Sequence, residues 1–172
     1  QDMDFDGDMD IVAVAQNEHT IAWFANNGSQ SFTKHTIDNN FDGTHEAKIV
    51  DIDSDGDNDI LETAKTADEI AWYENNGSQS FTKHTIDNNF NGVESIHAID
   101  IDRDGDIDVV AGATLGDEIA WWENDGSQSF TKQSVVTNFD DAKHLLVQDM
   151  DFDGDMDIVA VAQNEHTIAW FA

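Results

Sequence analysis

The sequence predicts an all-β fold assembled from copies of one small four-stranded antiparallel unit, and three observations carry that prediction. A nine-residue run, Asp-x-Asp-x-Asp-Gly-Asp-x-Asp, begins at Asp2, Asp51, Asp100 and Asp149, each start 49 residues after the last. Between the runs, short apolar segments rich in β-branched residues alternate with turn signals. Proline is absent, and no stretch reads as a helix. Four short strands in each 49-residue period make a blade, and blades set radially make a β-propeller. A stacked solenoid is the competing all-β architecture, but its coils are usually shorter.

The first repeat shows the plan. After the Asp run, Ile11 to Ala15 is short, apolar and β-branched, the mark of a strand buried on both faces. Gln16-Asn17-Glu18-His19 reads as a turn, and Thr20 to Ala25 as a second strand carrying Trp23 and Phe24. Asn26-Asn27-Gly28-Ser29 contains Asn-Gly, the strongest short hairpin signal. Phe32 to Ile37 is a third strand, ended by Asp38-Asn39-Asn40, and His45 to Val50 leads into the next Asp run. The later repeats keep this order with EIAWYENNG and EIAWWENDG in place of the first aromatic strand. Blade boundaries fall near 1–43, 44–92, 93–141 and 142–172, an array of about three and a half blades within one domain.

Residues 148–172 repeat residues 1–25 without a difference, although the other repeats differ at many positions. The sequence behaves as a circle of 147 residues read past its starting point. The first blade lacks its leading strand and the last blade its final strand. A window on a longer array, or strands exchanged between chains of a homo-oligomer, is the expected context. An engineered or truncated fragment is the alternative. The chain starts at Gln1 inside a repeat, as expected of a mature, trimmed or partial product.

Composition narrows the function classes. A net charge of -30 would by itself suggest disorder, but 39% hydrophobic residues support a folded core. Twenty of the 37 acidic residues lie in the four Asp runs. Carboxylates about 4 Å apart repel by roughly 1 kcal/mol in water, and by several times that near a protein surface. Bound divalent cations are the expected remedy. The same charge argues against nucleic acid and against anionic membrane as partners. No window is apolar enough for a transmembrane helix, and the absence of cysteine removes disulfides and thiolate zinc sites.

Oxygen donors at alternate positions, with glycine at the sixth, suit a hard cation. Ca²⁺ is preferred over Mg²⁺ because it accepts six to eight oxygens in flexible geometry. By the logic of the helix-loop-helix calcium loop, positions 1, 3, 5 and 9 offer side-chain oxygens and position 7 a backbone carbonyl. In the second repeat these are Asp51, Asp53, Asp55 and Asp59, with Asp57 through its main chain; in the third, Asp100, Asp102, Asp104 and Asp108, with Asp106. The first loop offers Asp2, Asp4, Asp6 and Asp10, with Asp8, and is expected to be frayed beside Gln1. The fourth offers Asp149, Asp151, Asp153 and Asp157, with Asp155, so up to four ions are expected. No glutamate stands at position 12 and strands flank the loops, so these are not EF-hands.

DIDSDGDNDIL and DIDRDGDIDVV, each followed by IAWYENNG or IAWWENDG and then SFTK, are similar to the FG-GAP/VCBS repeats. Those repeats occur in integrin α-subunit propellers and in many large bacterial surface and secreted proteins. The resemblance spans essentially the whole chain. It implies a propeller, commonly seven-bladed, with Ca²⁺ between the first and second strands of each blade. It also implies an extracellular or cell-surface setting and a role in adhesion or recognition. The blade count here departs from that pattern.

Other residues read more blandly. In the aromatic pairs Trp23-Phe24, Trp72-Tyr73, Trp121-Trp122 and Trp170-Phe171, strand neighbours face opposite sides, so one member is expected between blades and the other on the opposite side of its blade or at the rim. Inter-blade core is the preferred reading. A sugar-stacking platform is the alternative. Glu69, Glu74, Glu118 and Glu123 recur with the repeats and read as solvated faces, not as a catalytic carboxylate pair. His35, His84 and His97 lack a second histidine at ligand spacing. Asn27 and Asn76 sit in sequons, but the third repeat has Asp125 there, so the repeats share turn chemistry and not glycan attachment. The expected function is a non-catalytic, calcium-binding recognition, adhesion or assembly module with a protein or glycan ligand. A lectin-like propeller and a structural array or fibre subunit are the alternatives. A polysaccharide lyase or hydrolase would need one blade with unique, non-repeating polar residues; it ranks last, with Arg103 and Lys143 as weak candidates.

Overall fold

The computed structural model describes all 172 residues as fourteen strands in four antiparallel sheets, with one short 3-10 turn at Gln16–Glu18. The first sheet holds β1 (Ile11–Ala15), β2 (Thr20–Asn26) and β3 (Phe32–Asp38). The second holds β4 (Thr44–Val50), β5 (Asp59–Ala64), β6 (Glu69–Asn75) and β7 (Phe81–Asp87) in sequence order. The third holds β8 (Val93–Ile99), β9 (Asp108–Ala113), β10 (Glu118–Asn124) and β11 (Phe130–Thr137). The fourth holds β12 (Ala142–Gln148), β13 (Asp157–Ala162) and β14 (Thr167–Phe171). These are the blades of a β-propeller array: β4, β8 and β12 lie side by side, and β1 lies beside β4, while the outer strands make no comparable contact. No helix is long and apolar enough to cross a membrane.

The second strand of each complete blade, β5 or β9, is buried end to end because both faces of the blade are covered. Alternation then sends the two aromatics of each pair to different neighbours. Trp72 joins Val109, Ala111 and Trp122 of the next blade, whereas Tyr73 joins Ile21 and Trp23 of the preceding one. Two polar anchors cross the same interfaces: the Tyr73 hydroxyl donates to Asp38 (2.8 Å) and the Trp122 Nε1–H to Asp87 (3.2 Å). The aromatic pairs of the two complete blades, Trp72-Tyr73 and Trp121-Trp122, are therefore inter-blade core, whereas Trp170 is half-exposed. The glutamates on β6 and β10 form surface ion pairs, Lys83–Glu69 at 2.9 Å and Lys132–Glu118 at 2.8 Å.

Each leading strand bulges near its start, between Thr44 and Glu46, between Val93 and Ser95, and between Ala142 and His144. A bulge re-aims the unpaired side chain. The three unpaired residues are His45, Glu94 and Lys143, which occupy one repeat position and meet each other. Glu94 is buried and faces His45 Nε2 (3.4 Å), Lys65 Nζ (3.0 Å) and Lys143 Nζ (3.5 Å). Burial alone would raise the Glu94 carboxyl, but Lys65, Lys143 and His45 outweigh it and hold it below the usual range. One carboxylate thus ties three blades together.

Glu62 on β5 stands where the other blades have Ala13, Ala111 and Ala160. It is fully buried, accepts a hydrogen bond from the Thr44 hydroxyl, and leaves Oε2 without a partner. Burial pushes its carboxyl up to about 8, against the opposing hydrogen bonds from Thr44 and the His45 backbone. Between the ordinary glutamate range and that value the folded chain holds a proton that the unfolded chain has lost. Stability attached to Glu62 is therefore present at low pH and lost as pH rises toward 8. Melting curves at fixed saturating calcium should show Glu62→Gln gaining on the parent between about pH 5 and pH 8, then running parallel. Parallel curves across the whole range would contradict this.

Candidate metal centre

The Asp runs fold into the connections between first and second strands, β4 to β5, β8 to β9 and β12 to β13, with the first run leading into β1. Position 4 of each loop is left-handed, at Phe5, Ser54, Arg103 and Phe152, with φ from 58° to 65°. Position 6 is glycine at φ between 96° and 103°. Nothing crowds a hypothetical Cβ at Gly7, Gly56 or Gly105, so backbone conformation and not space demands glycine there.

The five carboxylates of a loop have different tasks. In the second loop, Asp51 Oδ2 accepts the Gly56 N–H (3.1 Å), Asp53 Oδ1 the Asp55 N–H (3.2 Å) and Asp55 Oδ1 the Asp57 N–H (2.9 Å). Asp59 is buried and uses both oxygens, accepting from Ile52 N–H at 3.0 Å and Asn75 N–H at 2.8 Å. It clamps the loop to the end of the third strand of the blade. Asp10 does the same with Met3 and Asn26, both at 2.8 Å, and Asp108 with Ile101 and Asn124 at 3.0 and 2.8 Å. The position-7 side chain lies against the next hairpin instead. A Cβ on Gly28, Gly77 or Gly126 would stand 2.6 Å from the carboxylate of Asp8, Asp57 or Asp106.

Positions 1, 3 and 9 converge in three loops: Asp51, Asp53 and Asp59; Asp100, Asp102 and Asp108; Asp149, Asp151 and Asp157. In the first loop the group is Asp2, Asp4 and Asp6. Each group places its oxygens within 4.8 Å of one another. Asp55, Asp57, Asp104 and Asp106 in the central loops, with Asp8, Asp10, Asp153 and Asp155 in the outer ones, lie outside these tightest groups. The first loop keeps its internal bonds, Gly7 N–H to Asp2 at 2.9 Å among them. The fourth departs: Asp149 Oδ1 accepts the Phe152 N–H at 2.7 Å.

The test of fit is one atom. Oδ1 of Asp2, Asp51 and Asp100 is buried and has no hydrogen-bond partner. A buried, unpaired carboxylate oxygen beside other carboxylates is costly unless a cation meets it. The donor set is all oxygen, which suits a hard ion. Asp51 and Asp53 would hold it with Asp59 at the rear, and their counterparts would do so in the other loops. Burial pushes Asp59 up to about 7 and Asp108 to about 6, against two backbone donors each, and neighbouring loop aspartates add to the rise. Asp4 and Asp53 are also raised, first by burial. A cation must displace those protons, so affinity should weaken as pH falls below about 7.

Reasoning from spacing found the loops and did not separate clamp from ligand. The available signal was Asn26, Asn75 and Asn124, each three residues after the first aromatic of its pair, whose backbone N–H meets the ninth aspartate. Two substitutions separate the roles. Asp59→Asn should cost about 1–3 kcal/mol in chemical denaturation even in EDTA, because a buried N–H loses its acceptor. Asp53→Asn should leave the EDTA value within about 0.5 kcal/mol of the parent and weaken calcium binding. Equal behaviour of the two variants would contradict the division.

Comparison with known proteins agrees with the repeat architecture. A model of the FG-GAP-like repeat matches residues 2–62, 51–111 and 100–160. A search of curated proteins returned no match. Among solved structures, the chain is similar to one described as the structural basis of specific recognition of non-reducing terminal N-acetylglucosamine by an Agrocybe aegerita lectin. The TM-score is 0.55 at 20% identity, over 88% of this chain and 46% of that one. The likeness is one of fold, and this chain spans less than half of that structure's length. Three overlapping repeat matches cover nearly the whole sequence, and the chain belongs to the FG-GAP-like repeat family.

Proposed function

We propose that the chain is a calcium-binding β-propeller module of an extracellular or cell-surface protein, acting by recognition or adhesion and not by catalysis. The observation that carries the calcium reading is the buried, partnerless Oδ1 at position 1 of three successive loops. When bound, Ca²⁺ would neutralise the carboxylates that Asp51, Asp53 and Asp59 bring together, and so join the first strand of a blade to the second. The remaining work belongs to the chain: the ninth aspartate holds the loop, and the aromatic pairs hold the blades. A binding role is supported by the placement of the acidic groups, which recur with every blade, whereas an active site is normally singular.

A carbohydrate ligand is the more specific form of this reading, favoured by the fold shared with a lectin. A glycan array in calcium should then show discrete binding, and a blank array removes the carbohydrate reading alone. The calcium reading has its own test. At about 100-fold excess over Kd, one bound ion stabilises by about 2.7 kcal/mol. That is roughly 5–10 °C for a domain of this size, so several ions should raise Tm by about 10 °C or more. EDTA should reverse the gain, and a Tm indifferent to EDTA would overturn the calcium reading.

A further inference from the structure

The second and third Asp loops are joined by buried groups. In the second loop, the Ile52 N–H donates to Oδ2 of Asp59 (3.0 Å). The Ile52 side chain leaves its own loop and packs in the cluster that holds Val109 and Trp122 of the third blade. Its carbonyl accepts from Nδ2 of Asn124 (3.5 Å), at the end of β10. The same Nδ2 donates to the Ile107 carbonyl (3.1 Å), inside the third loop. The backbone N–H of Asn124 donates to Oδ1 of Asp108 (2.8 Å), the ninth aspartate of that loop. Asp59 and Asp108 are thus connected through two residues, all four of them buried. Both loops belong to complete, four-stranded blades.

We propose that Ile52 and Asn124 couple the second and third loops, so that each loop binds its ion more tightly when the other is loaded. The inference rests on the calcium reading of the loops. Asp59, fixed at the rear of a loaded second loop, fixes Ile52 through its N–H. Ile52 then holds Asn124 through its carbonyl and through the packing it shares with Val109 and Trp122. Asn124 in turn positions Asp108 at the rear of the third loop. The entropic cost of ordering Ile52 and Asn124 is met once for two loops, and the coupling is reciprocal. Charge alone has the opposite sign. A loaded second loop has five carboxylates and one divalent ion, whereas an empty loop without Asp53 has four carboxylates and no ion. The empty loop is the more negative neighbour, and simple attraction would tighten calcium binding in the third loop beside it. At about 0.15 M salt, screening over roughly 8 Å weakens that attraction.

Amide NMR spectra of the full chain, titrated with Ca²⁺ at that salt concentration, test this because they read the two loops separately. The Gly56 N–H donates to Asp51 (3.1 Å) and the Gly105 N–H to Asp100 (3.1 Å), so each glycine reports its own loop. Asp53→Asn weakens the second loop. Over the range where that loop stays empty, the half-saturation concentration of the third should rise about fivefold or more. Asp102→Asn should raise that of the second loop by the same factor. With Asn124→Ala added, Asp53→Asn should no longer raise the value for the third loop. The reciprocal pair of aspartate variants needs no change at Asn124, so the test stands if Asn124→Ala fails to fold. Glycine amides that ignore Ca²⁺ in the parent would overturn the calcium reading and the coupling with it. Amides that respond, with the third loop unchanged or tightened by Asp53→Asn, would overturn the coupling alone. A fivefold rise that persists in Asn124→Ala would overturn the assigned path.

Discussion

Five carboxylates within nine residues must either repel or share a positive charge, and the rest of the structure is arranged around that constraint. The backbone N–H groups inside each loop go to positions 1, 3 and 5, which fixes the carboxylates without neutralising them. The ninth aspartate is drawn out of the group's exposed side and buried, where two N–H donors hold it and burial raises it to about 7 in Asp59. What remains is the unpaired oxygen at position 1. A cation there would relieve the repulsion and the desolvation together, and the loop would then stiffen the start of the second strand of each blade.

The blades themselves are held by a different chemistry. Repeated positions supply the aromatic core, Trp72 facing one neighbour and Tyr73 the other. The non-repeated positions gather on the leading strands, where His45, Glu94 and Lys143 occupy equivalent bulges and meet. Identical residues at that position would place like charges together; a histidine, a glutamate and a lysine place opposite ones. Glu62 is a second departure from the repeat, and its partnerless Oε2 makes its protonation part of the fold's response to pH.

Much of this was legible in the sequence. The 49-residue period located the blades, Asn-Gly and Asp-Gly located the hairpins, and the aromatic pairs placed one ring of each between blades while leaving the other on the opposite side or the rim. The site was legible as a group of aspartates but not as a division of labour. Alternation cannot distinguish Asp59 from Asp53, because the difference lies in an N–H of Asn75, sixteen residues downstream of Asp59. The Glu94 hub was hidden for another reason: its partners come from the two flanking blades, and the sidedness of His45, Glu94 and Lys143 depends on bulges that no local pattern announces. Lys143, weighed only as an unusual polar residue, belongs to this ion-pair group.

The most direct test of the central claim is calorimetric titration of Ca²⁺ into the EDTA-treated and desalted chain at pH 7.5. The account predicts saturable binding of about one ion for each of the first three loops, with proton release that grows as the buffer is made more acidic. A titration indistinguishable from dilution at millimolar Ca²⁺ would contradict it.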